Sequence, residues 1–413
     1  MKHLSILFLL AAVFHLASRA QFAPGVEWER CLANATVRSS VSLSDSIFTV
    51  AFDLKSCNDS SATGLRSYNR DGNLLWEKIF TPVTAESYRV FSLTKTFDHG
   101  YIFAGSRDSS SFDFNWLVKT DSTGNKQWEK QFFFSDSEKT CFGKVIQIDD
   151  GSFLFTTDQY SSSLRDLHVT KLDANGNVVW EKSAGGSLFD YARDIVASDD
   201  GGFLLAAYTG SNNGDVSGNH GANDIWLLKM DDAGNIQWKK CYGGMFNEEV
   251  RSVLKLSDGY LIGGMSESGD GDVTGHNGSN TYYDDWIFKI DANGNVLWKK
   301  SFGGKDQDYA SQMIMLTDGN FLLTGSSYST NGNINDHHVN SIYNDQWTIK
   351  ISGTGNLLWA KSTGGSGDDW SNCITALDSD DVIIAGASLS DDGDHHNACF
   401  TNDCRPIEGG WIV

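Results

Sequence analysis

Four carboxylates recur at one place in a repeating chain. Asp190, Glu248, Asp308 and Asp369 each lie four residues after the second glycine of a Gly-Gly pair. Aromatic residues follow directly at Tyr191, Tyr309 and Trp370. Carboxylates beside aromatic rings suit a cleft that binds sugar or cleaves a glycosidic bond, where one acid donates a proton and a second attacks or activates water. An acid placed at the same point of each unit equally suits a turn cap that accepts backbone N–H bonds. Catalytic pairs are usually unique, and these are not.

A second set of oxygens alternates along long polar loops. It comprises Asn213, Asp215 and Ser217, then Asp270, Asp272 and Thr274, then Asn331, Asn333 and Asn335, and finally Asp392 and Asp394. Alternating oxygens with a glycine at the bend (Gly218, Gly275) are the beginning of a calcium loop. Asp224 stands eleven residues after Asn213, but the closing bidentate glutamate is missing. The same segments read as ordinary solvated Asn-Gly-Asp turns. His220, His276, His337, His338, His395 and His396 share these loops. Neutral imidazole binds transition metals, though surface histidine is the plainer reading.

The elements that position these residues are legible from a repeated phrase. Trp76, Trp128, Trp180, Trp238, Trp298 and Trp359 each end a GNxxW segment, and Trp28 ends a worn copy, at intervals of 48 to 61 residues. Such a period signals a repeat architecture. The unit after Trp180 reads as four strands: 191–198, 203–209, 224–230 and 236–240. Asp-Asp-Gly-Gly and Asp-Asp-Ala-Gly-Asn make the tight hairpin turns between them. Four antiparallel strands in seven units predict an all-β fold, a seven-bladed β-propeller. The last unit lacks its tryptophan strand, and residues 26–29 supply one without a blade. Their pairing with 411–413 would close the ring and hide both edges. The abrupt stop at Val413 also fits an artificial end. The recurring tryptophans are expected to be buried packing residues, with Trp238→Ala costing about 3–5 kcal/mol.

Residues 1–20 have a polar start, an apolar run from Leu4 to Leu16 and small residues before Gln21. This predicts a cleaved secretory signal, leaving 21–413 as the propeller. The run is too short to span a bilayer, and no later one is long enough. The expected location is secreted or at the cell surface. A formal charge of −21 argues against nucleic acid and anionic lipid, and favours cations and neutral polar ligands. Seven cysteines in an exported chain permit disulfides, with Cys399 and Cys404 the closest pair. A monomer is expected.

The phrase DxWLLKLDxxGNxxWxK, with YGG and DGGFLLAG between copies, resembles the secreted tandem-repeat proteins of Bacteroidetes-type bacteria. The resemblance covers nearly all of 21–413 and implies a propeller but little about activity. No C-terminal sorting domain of the type IX secretion kind follows. The GN…W hairpin also looks like the tryptophan-docking motif of quinoprotein dehydrogenases, a likeness of scaffold only, because no adjacent-cysteine pair accompanies it. Two functions follow. One is a non-catalytic propeller binding a glycan or protein through its long-loop face, with or without calcium. The alternative is a carbohydrate-active, endoglucanase-like hydrolase using carboxylates near the central channel.

Overall fold

The computed structural model describes residues 30–32, 35–55, 61–80, 87–108, 114–133, 143–161, 164–334, 336–338, 342–377, 381–390, 392–394 and 409–412. The signal segment 1–20, the expected strand 26–29, Asn335, His395, His396 and the Cys399–Cys404 pair lie outside them. Every regular element described is a strand. No helix among these residues is long and apolar enough to cross a membrane.

The unit read most clearly from sequence folds as Asp190–Ala197, Phe203–Thr209, Asp224–Met230 and Ile236–Tyr242, in that order, all antiparallel. Its two middle strands are buried along their whole length, as expected where sheets stack face to face. The last strand is the outer edge and stays partly exposed. Successive units share apolar cores. Leu205, Trp226 and Leu228 pack with Leu167 and Val169 on one side, while Leu204, Leu227 and Ile225 pack with Trp286 and Phe288 on the other. Innermost strands of neighbouring units touch in sequence around a central channel, and the first, Ala35–Ser44, meets the last, Asp369–Ala376. This is a β-propeller.

The expectation of seven separate four-stranded blades is corrected. The strands form six hydrogen-bonded sheets, five of four strands and one of eight. The large sheet spans 35–133. Its two antiparallel runs are joined by a parallel bridge between Ser61 and Ser87, so the first two repeats are fused into one sheet. An N-terminal strand, Arg30–Leu32, pairs with Gly409–Ile412 and completes the sheet of Asp369–Ala376 and Val382–Ser388.

The recurring tryptophans need a correction as well. Trp76, Trp128, Trp180, Trp238, Trp298 and Trp359 are only half-buried. The fully buried indoles are Trp226, Trp286 and Trp347 on the third strands. Trp76, Trp128, Trp180, Trp238 and Trp298 instead dock on the Gly-Asn turn of the next unit. The Trp238 indole N–H donates to the Ala292 carbonyl at 3.1 Å, and that of Trp180 to Asp232 at 3.2 Å. Gly294 in the receiving turn has φ +74°, and a Cβ there would sit 3.1 Å from the Trp238 ring. Glycine is required twice at this position, for the left-handed backbone and for the neighbour's indole. The two halves of the repeated phrase therefore bind each other across the unit boundary.

Candidate functional site

The repeated acids sit where each innermost strand begins, and they are fully buried. Asp190 accepts hydrogen bonds from Gly186 N at 2.7 Å, Ser211 Oγ at 3.1 Å and Thr209 Oγ1. Glu248 accepts from Gly244 N at 2.8 Å and Ser266 Oγ at 2.6 Å. Asp308 accepts from Gly304 N at 2.7 Å and Ser329 Oγ at 3.0 Å. Asp369 accepts from Gly365 N at 2.9 Å, Ser390 Oγ at 2.6 Å and Ser388 Oγ. Burial pushes Glu248 and Asp308 up to about 7, with the hydrogen bonds opposing. Near them stand Asp224, Asp284 and Asp345, also fully buried. At Gly243 a Cβ would lie 2.4 Å from Glu248 Oε2 and 2.7 Å from Asp224 Oδ1, which explains the first glycine of the pair. The geometry makes these carboxylates fasteners of the turn, buried from solvent.

The alternating oxygens are engaged in the same seam. Asn213 Oδ1 accepts from Ser187 N at 2.8 Å, Asp270 Oδ1 from Met245 N at 2.9 Å, and Asp392 Oδ1 from Ser366 N at 2.6 Å. The backbone N–H groups of Asp215, Asp272 and Asp394 bond the carbonyls of Gly185, Gly243 and Gly364. Asp215 and Asp272 also lie 3.7 and 3.8 Å from Lys239 and Lys299. Ser217 and Thr274 are exposed, while Val216 and Val273 beside them plug the apolar cores. His220 Nδ1 lies 2.6 Å from Asp224, and His338 Nδ1 lies 3.0 Å from Asp345. Among the described residues no three His, Cys, Asp or Glu side chains converge as a metal site.

What sequence reasoning missed is the lining of the central channel. In the innermost strands, single-residue bulges fall at Arg38, Phe91, Arg193, Arg251, Ser311 and Asn372. A bulge re-aims a side chain, and here Arg38, Phe91, Arg193, Arg251, Ser311 and Asn372 all line a cavity of about 520 Å³. The residue after the bulge sews neighbouring units together. Leu93 N bonds Ser39 Oγ (3.1 Å), Val253 N bonds Asp194 Oδ2 (2.8 Å), and Met313 N bonds Ser252 Oγ (3.2 Å). Asn372 Nδ2 donates to the Val37 carbonyl at 2.7 Å and links the last repeat to the first. The available sequence signal was a residue three places after each repeated acid, Arg193 after Asp190 and Arg251 after Glu248.

Of the expected aromatic contacts, Tyr309 lines this cavity and faces Tyr283, with ring centroids 6.1 Å apart. Tyr191 stacks on Tyr208 at 4.7 Å, with the Arg165 guanidinium over its ring at 4.8 Å. Arg193 covers Tyr208 at 4.8 Å and donates to its hydroxyl at 2.6 Å. Trp370 is half-buried, paired with Ala387 in the ladder. The loops of the same face expose Leu188, Phe189, Met245, Tyr282, Ile342 and Tyr343.

No family model matches the chain. It is 27% identical over 195 residues to the regulatory protein FlaEY of Caulobacter vibrioides, covering 45% of this chain and 20% of FlaEY. The chain thus spans about a fifth of the length of that relative. Among solved structures, a puromycin hydrolase superposes with a TM-score of 0.52 at 9% identity, over 90% of this chain and 51% of the hydrolase. A protein of unknown function from Dyadobacter fermentans superposes with a TM-score of 0.45 at 13% identity, over 78% of this chain and 93% of its own. At such identities the hydrolase likeness speaks for a propeller scaffold alone. None of these neighbours points to glycoside hydrolysis.

Proposed function

We propose that this chain is a non-catalytic binding propeller, exported from the cell, that engages a glycan or protein ligand through its long-loop face. One observation carries the reading. Leu188, Phe189, Met245, Tyr282, Ile342 and Tyr343 are all exposed on loops of the face that carries the long insertions. Clustered exposed apolar side chains on a rigid scaffold mark interaction surfaces more often than single ones do. The buried, fully hydrogen-bonded state of Asp190, Glu248, Asp308 and Asp369 favours binding over turnover. Export is supported by the apolar run from Leu4 to Leu16 and the small residues before Gln21.

The test is a glycan array and a defined set of purified surface proteins probed with the whole chain and with a Met245→Ser/Ile342→Ser variant. A ligand retained by the parent and released by the variant is the expected result. Unchanged binding by the variant, or release of reducing sugar from the bound glycan, would refute the reading.

A further inference from the structure

We propose that the central cavity is an anion site, taking a carboxylate or phosphate group carried by the ligand. The proposal deepens the binding reading above and rests on it for the route of entry.

The chain has a formal charge of −21, yet the cavity wall gathers Arg38, Arg89, Lys144, Arg193 and Arg251 against one acid, Asp194. Three of the five are there because bulges turn them inward. Arg89 is exposed and makes no ion pair among the described residues; it feels Asp53 only through space.

Three of the acids that face these cations are also engaged with the backbone. Asp53 pairs with Arg38 at 2.8 Å but also accepts from Val90 N at 2.9 Å. Asp194 lies 3.7 Å from Lys144 and holds Val253 N at 2.8 Å. Asp158, which acts on Arg193, accepts from Ala192 N at 2.8 Å. Glu249 pairs with Arg251 at 3.0 Å. Burial pulls the Arg251 guanidinium below its ordinary value; Glu249 opposes this, and the like charge of Arg193 adds to it.

Clustered cations lining a concave cavity raise the local concentration of anions. Arginine forks match planar carboxylate and tetrahedral phosphate, forming charge-assisted pairs stronger than neutral hydrogen bonds. Gln312 and Asn372 also line the cavity, and their amide N–H groups offer neutral donors beyond the one Asn372 gives to Val37. The volume of about 520 Å³ suits one or two sugar-sized groups.

The test is calorimetric titration of the whole chain at low ionic strength with citrate, inorganic phosphate, an oligogalacturonate and a neutral oligosaccharide. At least one anion should bind, and added salt should weaken it. Arg89→Gln and Arg251→Gln should each weaken it by roughly tenfold while the neutral sugar does not compete. Arg89→Gln removes an exposed side chain without an ion pair, so it decides the matter if Arg251→Gln fails to fold.

Tighter binding of oligogalacturonate than of citrate or phosphate would locate the charge on an acidic glycan. The reverse would identify a free oxyanion, and either result supports the site. An absence of anion binding, or variants that bind as the parent does, would overturn it. The Met245→Ser/Ile342→Ser change leaves the cavity wall intact. Loss of the loop-face reading therefore shows up separately from loss of this one.

Discussion

At the scale of single residues, the repeated acids are buried and cap their turns through backbone N–H bonds. The sequence showed Asp190, Glu248, Asp308 and Asp369 beside glycines, and left a cap and a catalytic group as open readings. Burial and three-way hydrogen bonding assign the cap. Gly243→Ala should therefore cost about 2–4 kcal/mol, because its Cβ would meet two carboxylate oxygens of the seam. Gly269→Ala, whose Cβ meets only Asn280 Oδ1 at 3.8 Å, should change stability by less than about 0.5 kcal/mol. Denaturant unfolding of both variants checks the contrast.

The same burial makes stability depend on pH. Glu248, Asp284 and Asp308 are raised to about 7 by burial, so the folded protein holds these protons more tightly than the unfolded chain. Their contribution is complete below the ordinary carboxylate range and is lost as pH rises through about 7. Melting temperatures across that interval should fall with pH from this source. Glu248→Gln, which keeps a hydrogen-bonding group in the seam, should flatten the slope; an unaltered slope would count against the assignment.

At the scale of elements, one strand pattern hid two different roles for tryptophan. The alternating exposure of Leu74–Phe80 marks an outer edge, and Trp76 lies on it half-covered. Phe203–Thr209 and Asp224–Met230 are buried throughout. Trp226→Ala should then cost about 3–5 kcal/mol, since it empties a full indole volume from a core shared by two units. Trp238→Ala should cost less, about 1–3 kcal/mol, through loss of a half-buried ring and its bond to Ala292. Equal losses in thermal unfolding would contradict the distinction. The hairpin strands were readable because period-two alternation and Asp-Gly turns are local signals. The bulges were not, since an extra residue in one strand is visible only against the partner it fails to pair with.

At the scale of the whole molecule, the ring is closed by a short ladder among the described residues. Arg30–Leu32 meets Gly409–Ile412 through three residue pairs, whereas Phe203–Thr209 meets Asp224–Met230 through seven. Opening of a propeller should begin where the fewest ladder bonds hold it. In hydrogen-exchange mass spectrometry, 30–32 and 409–412 should exchange well before 224–230. Protection of the closing strands equal to that of the middle strands would rule this out.

Repeat period, strand type, turn chemistry and the antiparallel unit were determined by the sequence alone, because each depends on neighbours within a few residues or on recurrence along the chain. Three things were decided only by tertiary structure. The first two repeats merge into one sheet through a single bridge at Ser61 and Ser87. The acidic and oxygen-rich loops turn inward to bind backbone amides of the neighbouring turns. Cations from five repeats, three of them placed by bulges, meet in a common cavity within a strongly acidic molecule. Each of these depends on which residues face one another across strands and units well separated along the chain, a relation that linear spacing does not encode.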